Sequence, residues 1–98
     1  MTYAVFIQTA GSIDIFNQVV DLLPDTDPEG LLLRVAGQGE RGVAVLSVWR
    51  WKEDADRFFA EQHAPALAKV LGAPPPRPDT MVEFEATDVL VTEPASSA

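Results

Sequence analysis

Residues 2–8 form a short run of β-branched and aromatic side chains, the pattern of a strand covered on both faces. Gly11 ends the run, and Ser12 offers a hydroxyl to the free N–H groups of a following helix. Ile15, Phe16, Val19, Val20, Leu22 and Leu23 then recur at three- and four-residue spacing, leaving Asp14, Asn17, Gln18 and Asp21 on the other side. This is an amphipathic helix stopped by Pro24. Residues 24–30 concentrate turn formers and acids and read as a solvated connection. Residues 31–37 and 43–49 are two further strands, joined by a glycine-bearing loop short enough for a hairpin.

From Lys52 the period lengthens again, with Ala55, Phe58, Phe59, Ala66, Leu67, Val70 and Leu71 along one side of a long helix that ends at Gly72. Pro65 lies inside it. Its missing N–H cannot bond the carbonyl of residue 61, so a kink or a break into two shorter helices is expected there. Residues 73–78 are proline-rich and form an extended connector. In residues 81–91, Val82, Phe84 and Ala86 alternate with Glu83, Glu85 and Thr87 as the last strand. One domain is expected over residues 1–92, followed by a flexible tail at 93–98.

The order strand, helix, strand, strand, helix, strand is that of an α+β, ferredoxin-like β-α-β-β-α-β domain with a four-stranded antiparallel sheet. Helices in such a domain cover one sheet face. Here the first three strands are apolar on both alternations. Tyr3, Val5 and Ile7 oppose Ala4 and Phe6; Leu31, Leu33 and Val35 oppose Leu32 and Ala36; Val43, Val45 and Trp49 oppose Ala44, Leu46 and Val48. The second face therefore needs a cover, and an identical subunit packed sheet to sheet supplies it through one symmetric contact. A homodimer is expected.

Composition narrows the function classes. Ninety-eight residues leave room for a single core. Fifteen acidic against seven basic residues give a net charge of -8, which repels phosphate backbones and anionic lipid, so neither nucleic acid nor a membrane is an expected partner. No segment approaches the roughly 20 apolar residues of a membrane span, and the first residues lack a basic leader, so a cytoplasmic location is expected. Without cysteine there is no disulfide, thiolate nucleophile or thiolate metal site.

With these elements in place, the chain resembles the dimeric α+β barrel superfamily. The resemblance runs through residues 30–37 (GLLLRVAG), Val48-Trp49, residues 56–59 (DRFF), 64–67 (APAL) and 74–78 (PPPRP). It is similar to antibiotic-biosynthesis-monooxygenase-like members and, within these, to small actinobacterial-type proteins. The superfamily also includes haem-degrading enzymes, muconolactone isomerases and polyketide cyclases. Small-molecule chemistry without a cofactor is what the resemblance implies. The chain departs from such relatives in carrying Arg34 where a histidine is often found, Ser47 in place of an aspartate, and Thr87-Asp88 in place of a His-Asn pair. It also lacks the tryptophan and later histidine of the second helix in the haem-degrading branch.

Few side chains are equipped for chemistry. His63 is the only histidine and falls on the apolar side of the second helix, one turn from Phe59 and Leu67. It is a candidate general base, or a core histidine bonded to a carbonyl freed by Pro65. Arg34 interrupts an apolar strand and needs an anionic ligand or a carboxylate partner; pairing with Glu83 or Glu85, or a place at the subunit interface, is the structural alternative. Trp49 and Trp51 flank Arg50 and are expected to diverge, one to the core or a cavity wall and the other to the rim. Phe58, Phe59 and Tyr3 are candidate substrate-binding residues beside Trp49. Asp54, Asp56 and Glu61 lack ligand spacing with His63, so no metal is expected. Gly37, Gly39 and Gly42 lead into a strand, unlike a dinucleotide loop. No elbow motif surrounds Ser12 or Ser47, which argues against a Ser-His-Asp hydrolase.

Two function classes follow. The first is a cofactor-independent enzyme, of monooxygenase, cyclase or isomerase type, acting on a small apolar or aromatic metabolite of polyketide or other secondary metabolism. His63 would move a proton and Arg34 would stabilise negative charge. The second is a non-catalytic homodimer that binds a hydrophobic small molecule or assists another protein.

Overall fold

The computed structural model describes residues 1–92, so the tail expected at 93–98 lies outside the described residues. The elements run β1 (Tyr3–Thr9), α1 (Ile13–Leu22), β2 (Leu31–Gly39), β3 (Gly42–Trp49), α2 (Lys52–Phe58), α3 (Ala64–Leu71) and β4 (Thr80–Glu85). The four strands form one antiparallel sheet in the order β2-β3-β1-β4, the ferredoxin-like α+β topology. The order puts β2 and β4 at opposite edges. Among the described residues no helix is long and apolar enough to cross a membrane.

Local chemistry explains the helix ends. Ser12 caps α1, its hydroxyl accepting from the Asp14 N–H at 3.1 Å. Gln38 fastens the same end to β2, its side-chain oxygen accepting from the Ile13 N–H at 2.8 Å and its amide donating to the Gly11 carbonyl at 3.1 Å. Pro24 follows the cap residue Leu23 and forbids a further turn. Gly72 closes α3 in the left-handed region, with its N–H bonding the Ala68 carbonyl at 2.8 Å.

The expected division of the second helix appears as two short α-helices, α2 and α3, without an intervening loop. A π-helical turn, Phe59–His63, joins them, and the Ala64 N–H donates back to the Phe59 carbonyl. Widening the helix by one residue absorbs the backbone bond that Pro65 cannot make.

Strand pairing assigns the sheet faces. Tyr3, Val5 and Ile7 of β1 stand opposite Trp49, Ser47 and Val45 of β3, on the helix side. The core there consists of Tyr3, Val5, Trp49, Ala55 and Phe58. β2 departs from strict alternation, because Leu31 pairs with Trp49 and Leu33 pairs with Val48, leaving Leu32 as an extra residue. The expected grouping of Leu31 with Leu33 and Val35 is thereby corrected. Leu31, Arg34 and Ala36 share the helix side, while Leu33 and Val35 join Ala4, Phe6, Leu46 and Val48 on the other.

That second face is apolar, and much of it meets solvent in one chain: Val35 is 55% exposed and Phe84 50%. The last strand is shorter than its alternation predicted. β4 ends at Glu85, and one further bond, from the Ala86 N–H to the Thr2 carbonyl at 2.8 Å, extends its pairing with β1.

Asp54 is buried, with a contact to Arg57 at 3.4 Å. Its carboxylate rests against the backbone of Gly30, which adopts a φ of +82°. A Cβ at residue 30 would collide with that carboxylate and strain the backbone. Gly30→Ala is expected to lower stability by about 1 to 3 kcal/mol. Urea unfolding at neutral pH measures it, and a loss of only a few tenths would show that this contact is not tight.

Candidate active site

A cavity of about 470 Å³ opens between the helices and the sheet. β3 lines it with Val45, Ser47 and Trp49, α1 with Phe16 and Val19, and the second helical segment with Phe58, Phe59 and His63. The walls are almost wholly apolar because each element turns its hydrophobic side inward.

Trp49 anchors this lining and is only 1% exposed. Its indole N–H donates to the Ser47 hydroxyl at 2.9 Å, so the ring is fixed in plane. Phe58 lies 5.2 Å from it and Phe59 6.1 Å, centroid to centroid. His63 completes the cluster, edge-on to Phe59 at 5.4 Å. Trp51 diverges from Trp49 as expected, being 51% exposed, but strand alternation is not the cause. Residues two apart in a strand share a face. The strand ends at Trp49, and Trp51 instead occupies the N-cap of α2.

Arg34 reaches the same cavity from β2. Its guanidinium sits over the Phe16 ring, 5.6 Å from the centroid. The alternative of a pair with Glu83 or Glu85 within the chain is excluded, since those residues belong to β4 at the far edge of the sheet. Among the described residues Arg34 enters no ion pair.

The His63 imidazole makes no hydrogen bond among the described residues, so the expected alternative of a bond to a freed carbonyl is not what holds it. Burial among the aromatic rings pushes its pKa below the ordinary 6.5, and the positive charge of Arg34 pushes it the same way. At neutral pH it is an uncharged base beside a fixed cation.

His63, Arg34, Trp49, Phe58 and Phe59 thus line one cavity; Tyr3 does not. Tyr3 is buried in the core near the N-terminus of α2, with the Lys52 ammonium 5.8 Å from its ring. Its place at the first residue of β1 sets it away from the cavity's lining. Among the described residues no cluster of metal-ligating side chains exists.

Arg77 also lines the cavity, within the proline connector. Sequence periodicity carries no sign of this, because an irregular segment has none. The run of prolines indicated a stiff segment, but where it lies depends on the sheet.

The sequence matches no protein-family model. It also matches none of the curated proteins. Solved structures share the fold. A candidate antibiotic biosynthesis monooxygenase from Chloroflexus aurantiacus superposes with a TM-score of 0.67 at 14% identity, over 93% of this chain and 98% of that one. The monooxygenase from the gene ActVA-Orf6 of Streptomyces coelicolor, in complex with the ligand nanaomycin D, gives 0.55 at 15% identity over 94% and 92%. SnoaB, a cofactor-independent oxygenase from Streptomyces nogalater, gives 0.53 at 16% over 91% and 94%. The likeness is one of fold alone: the chain and these structures share the ferredoxin-like α+β architecture.

The His63 environment sets a pH dependence. Between its lowered folded value and 6.5, the unfolded chain binds more protons, so stability rises with pH through that window and falls as the folded imidazole is protonated. An NMR titration is expected to place His63 below 6.5, with Arg34→Gln raising it part of the way back. No movement in the Arg34→Gln protein would show that the two groups do not interact.

Proposed function

We propose that the chain is a cofactor-independent enzyme acting on a small, largely apolar, aromatic molecule that can be enolised. One observation carries this reading: a neutral histidine and Arg34, which among the described residues has no acidic partner, line one largely apolar cavity.

Each residue has a defined role. Phe59, backed by the buried Trp49 and Phe58 rings, offers an aromatic wall to a flat substrate and excludes water from it. His63 accepts a proton from an acidic C–H or phenolic O–H, for which an uncharged imidazole is required. The electron pair left on the substrate becomes an enolate, and the Arg34 guanidinium stabilises it in a medium of low dielectric. Oxygenation, cyclisation and isomerisation all depart from such an enolate. In the oxygenation branch the enolate carbon is oxidised by dioxygen, a C–O bond forms, and the proton held by His63 returns to the resulting peroxide. Secondary metabolism, polyketides included, is rich in substrates of this chemistry. The existence of a monooxygenase and a cofactor-independent oxygenase on the same fold supports the reading, as fold-level analogy.

The assembly we propose is a homodimer, formed through the apolar sheet face that the helices leave bare. Phe6, Leu46, Val35, Val82 and Phe84 would lie at the contact, closing a surface that a monomer would hold against water.

His63→Ala is expected to reduce turnover of enolisable aromatic ketones or hydroxynaphthalenes at least about 100-fold while ligand binding and the unfolding midpoint change little. Oxygen uptake and product formation measure the first, calorimetry the others. Binding by the wild-type protein with no turnover of any such compound would favour a non-catalytic binding protein. Sedimentation at micromolar concentration is expected to show a dimer, and Val35→Glu a shift to monomer. A folded wild-type monomer would remove the proposed contact.

A further inference from the structure

The charge around the cavity runs opposite to that of the chain. Acidic residues outnumber Lys and Arg by fifteen to seven, yet among the described residues no acid lines the cavity, whereas Arg34 and Arg77 both do. A concave apolar site lined by one sign of charge focuses the field into its interior.

The two arginines enter from different sides. Arg34 stands on β2, at one edge of the sheet, whereas Arg77 belongs to the connector leading into β4, at the other. Pro75, Pro76 and Pro78 stiffen that connector and line the cavity with Arg77. The segment is tied down next to Arg77, where the Asp79 carboxylate accepts from the Ala10 N–H at 2.9 Å. Asp79 is thus engaged with backbone, and among the described residues Arg77 enters no ion pair. An unpaired guanidinium on a stiff support beside an apolar hollow is suited to bidentate capture of a planar anion.

We propose that the ligand is an amphipathic acid, with a flat apolar body against Phe59 and the apolar cavity wall and a permanent carboxylate held by Arg77. This rests on the cavity being the ligand site proposed above. It assigns separate duties to the two cations. Arg77 selects a charge that the ligand carries throughout, and Arg34, beside His63, answers the charge that develops during reaction. A monoanion suits a single guanidinium and meets less repulsion from a chain of net charge -8 than a phosphate dianion does.

Isothermal titration of 2-naphthoate, neutral 2-naphthol and 2-naphthyl phosphate into the wild-type, Arg77→Gln, Arg77→Lys and Arg34→Gln proteins tests this. The wild type is expected to bind 2-naphthoate about tenfold more tightly than 2-naphthol, the scale of one charge-assisted contact. Arg77→Gln should erase that preference without changing 2-naphthol affinity, and Arg77→Lys should restore part of it. Equal wild-type affinities, or a preference that survives Arg77→Gln, would overturn the proposal while leaving the cavity as a ligand site. A preference abolished only by Arg34→Gln would place the anion at the other cation and overturn it equally, and tighter binding of the phosphate would replace the carboxylate as the ligand class. Failure of all three compounds to bind would reject the ligand-site reading itself.

Discussion

The extra residue at Leu32, where β2 pairs with β3, sets the face on which Arg34 stands. Continued regular pairing from Leu31 opposite Trp49 would have placed Arg34 opposite Leu46, on the bare apolar side of the sheet. The shift places it opposite Ser47 instead, facing the helices. A side-chain period of two makes such a one-residue slip a reversal of faces. Arg34 can therefore sit over Phe16 and share a hollow with His63 because of a local irregularity in strand pairing. Bulges are often found where a strand must redirect one side chain.

A second irregularity serves the other half of the same site. Pro65 removes one helical donor, and the π-helical turn preceding it lets the helix continue with one residue more in that turn. His63 is the last residue of the turn. The local widening keeps it against Phe58 and Phe59 instead of releasing it with a frayed helix end. Both devices cost regular backbone bonding, and both occur at the residues with the greatest chemical capacity. Elsewhere β1 pairs in continuous register with both of its neighbours.

The electrostatics follow from these positions. Burial disfavours the charged imidazole, and a neighbouring cation disfavours it further, so the two effects act together on His63. The same cation would stabilise negative charge developing on a molecule bound in the cavity. The apolar walls strengthen that effect by keeping solvent away. Tyr3 takes no part, since its place in β1 commits the ring to the core beneath α2.

Much of this was legible along the chain. The order of elements, the Ser12 cap, the stop at Pro24 and the two-faced hydrophobicity of the strands are local consequences of periodicity and backbone chemistry. The apolar spacing from Phe58 to Leu67 likewise marked His63 as inward-facing. The residues that refine the site were not legible, because each depends on a partner distant in sequence. Leu32 becomes a bulge only through its pairing with β3, Gly30 is constrained by a carboxylate 24 residues away, and Arg77 meets the cavity because β4 returns beside β1. Local pattern thus determined which surfaces must be buried. Tertiary pairing, which alone fixes register and brings separate segments together, decided which polar groups those surfaces enclose.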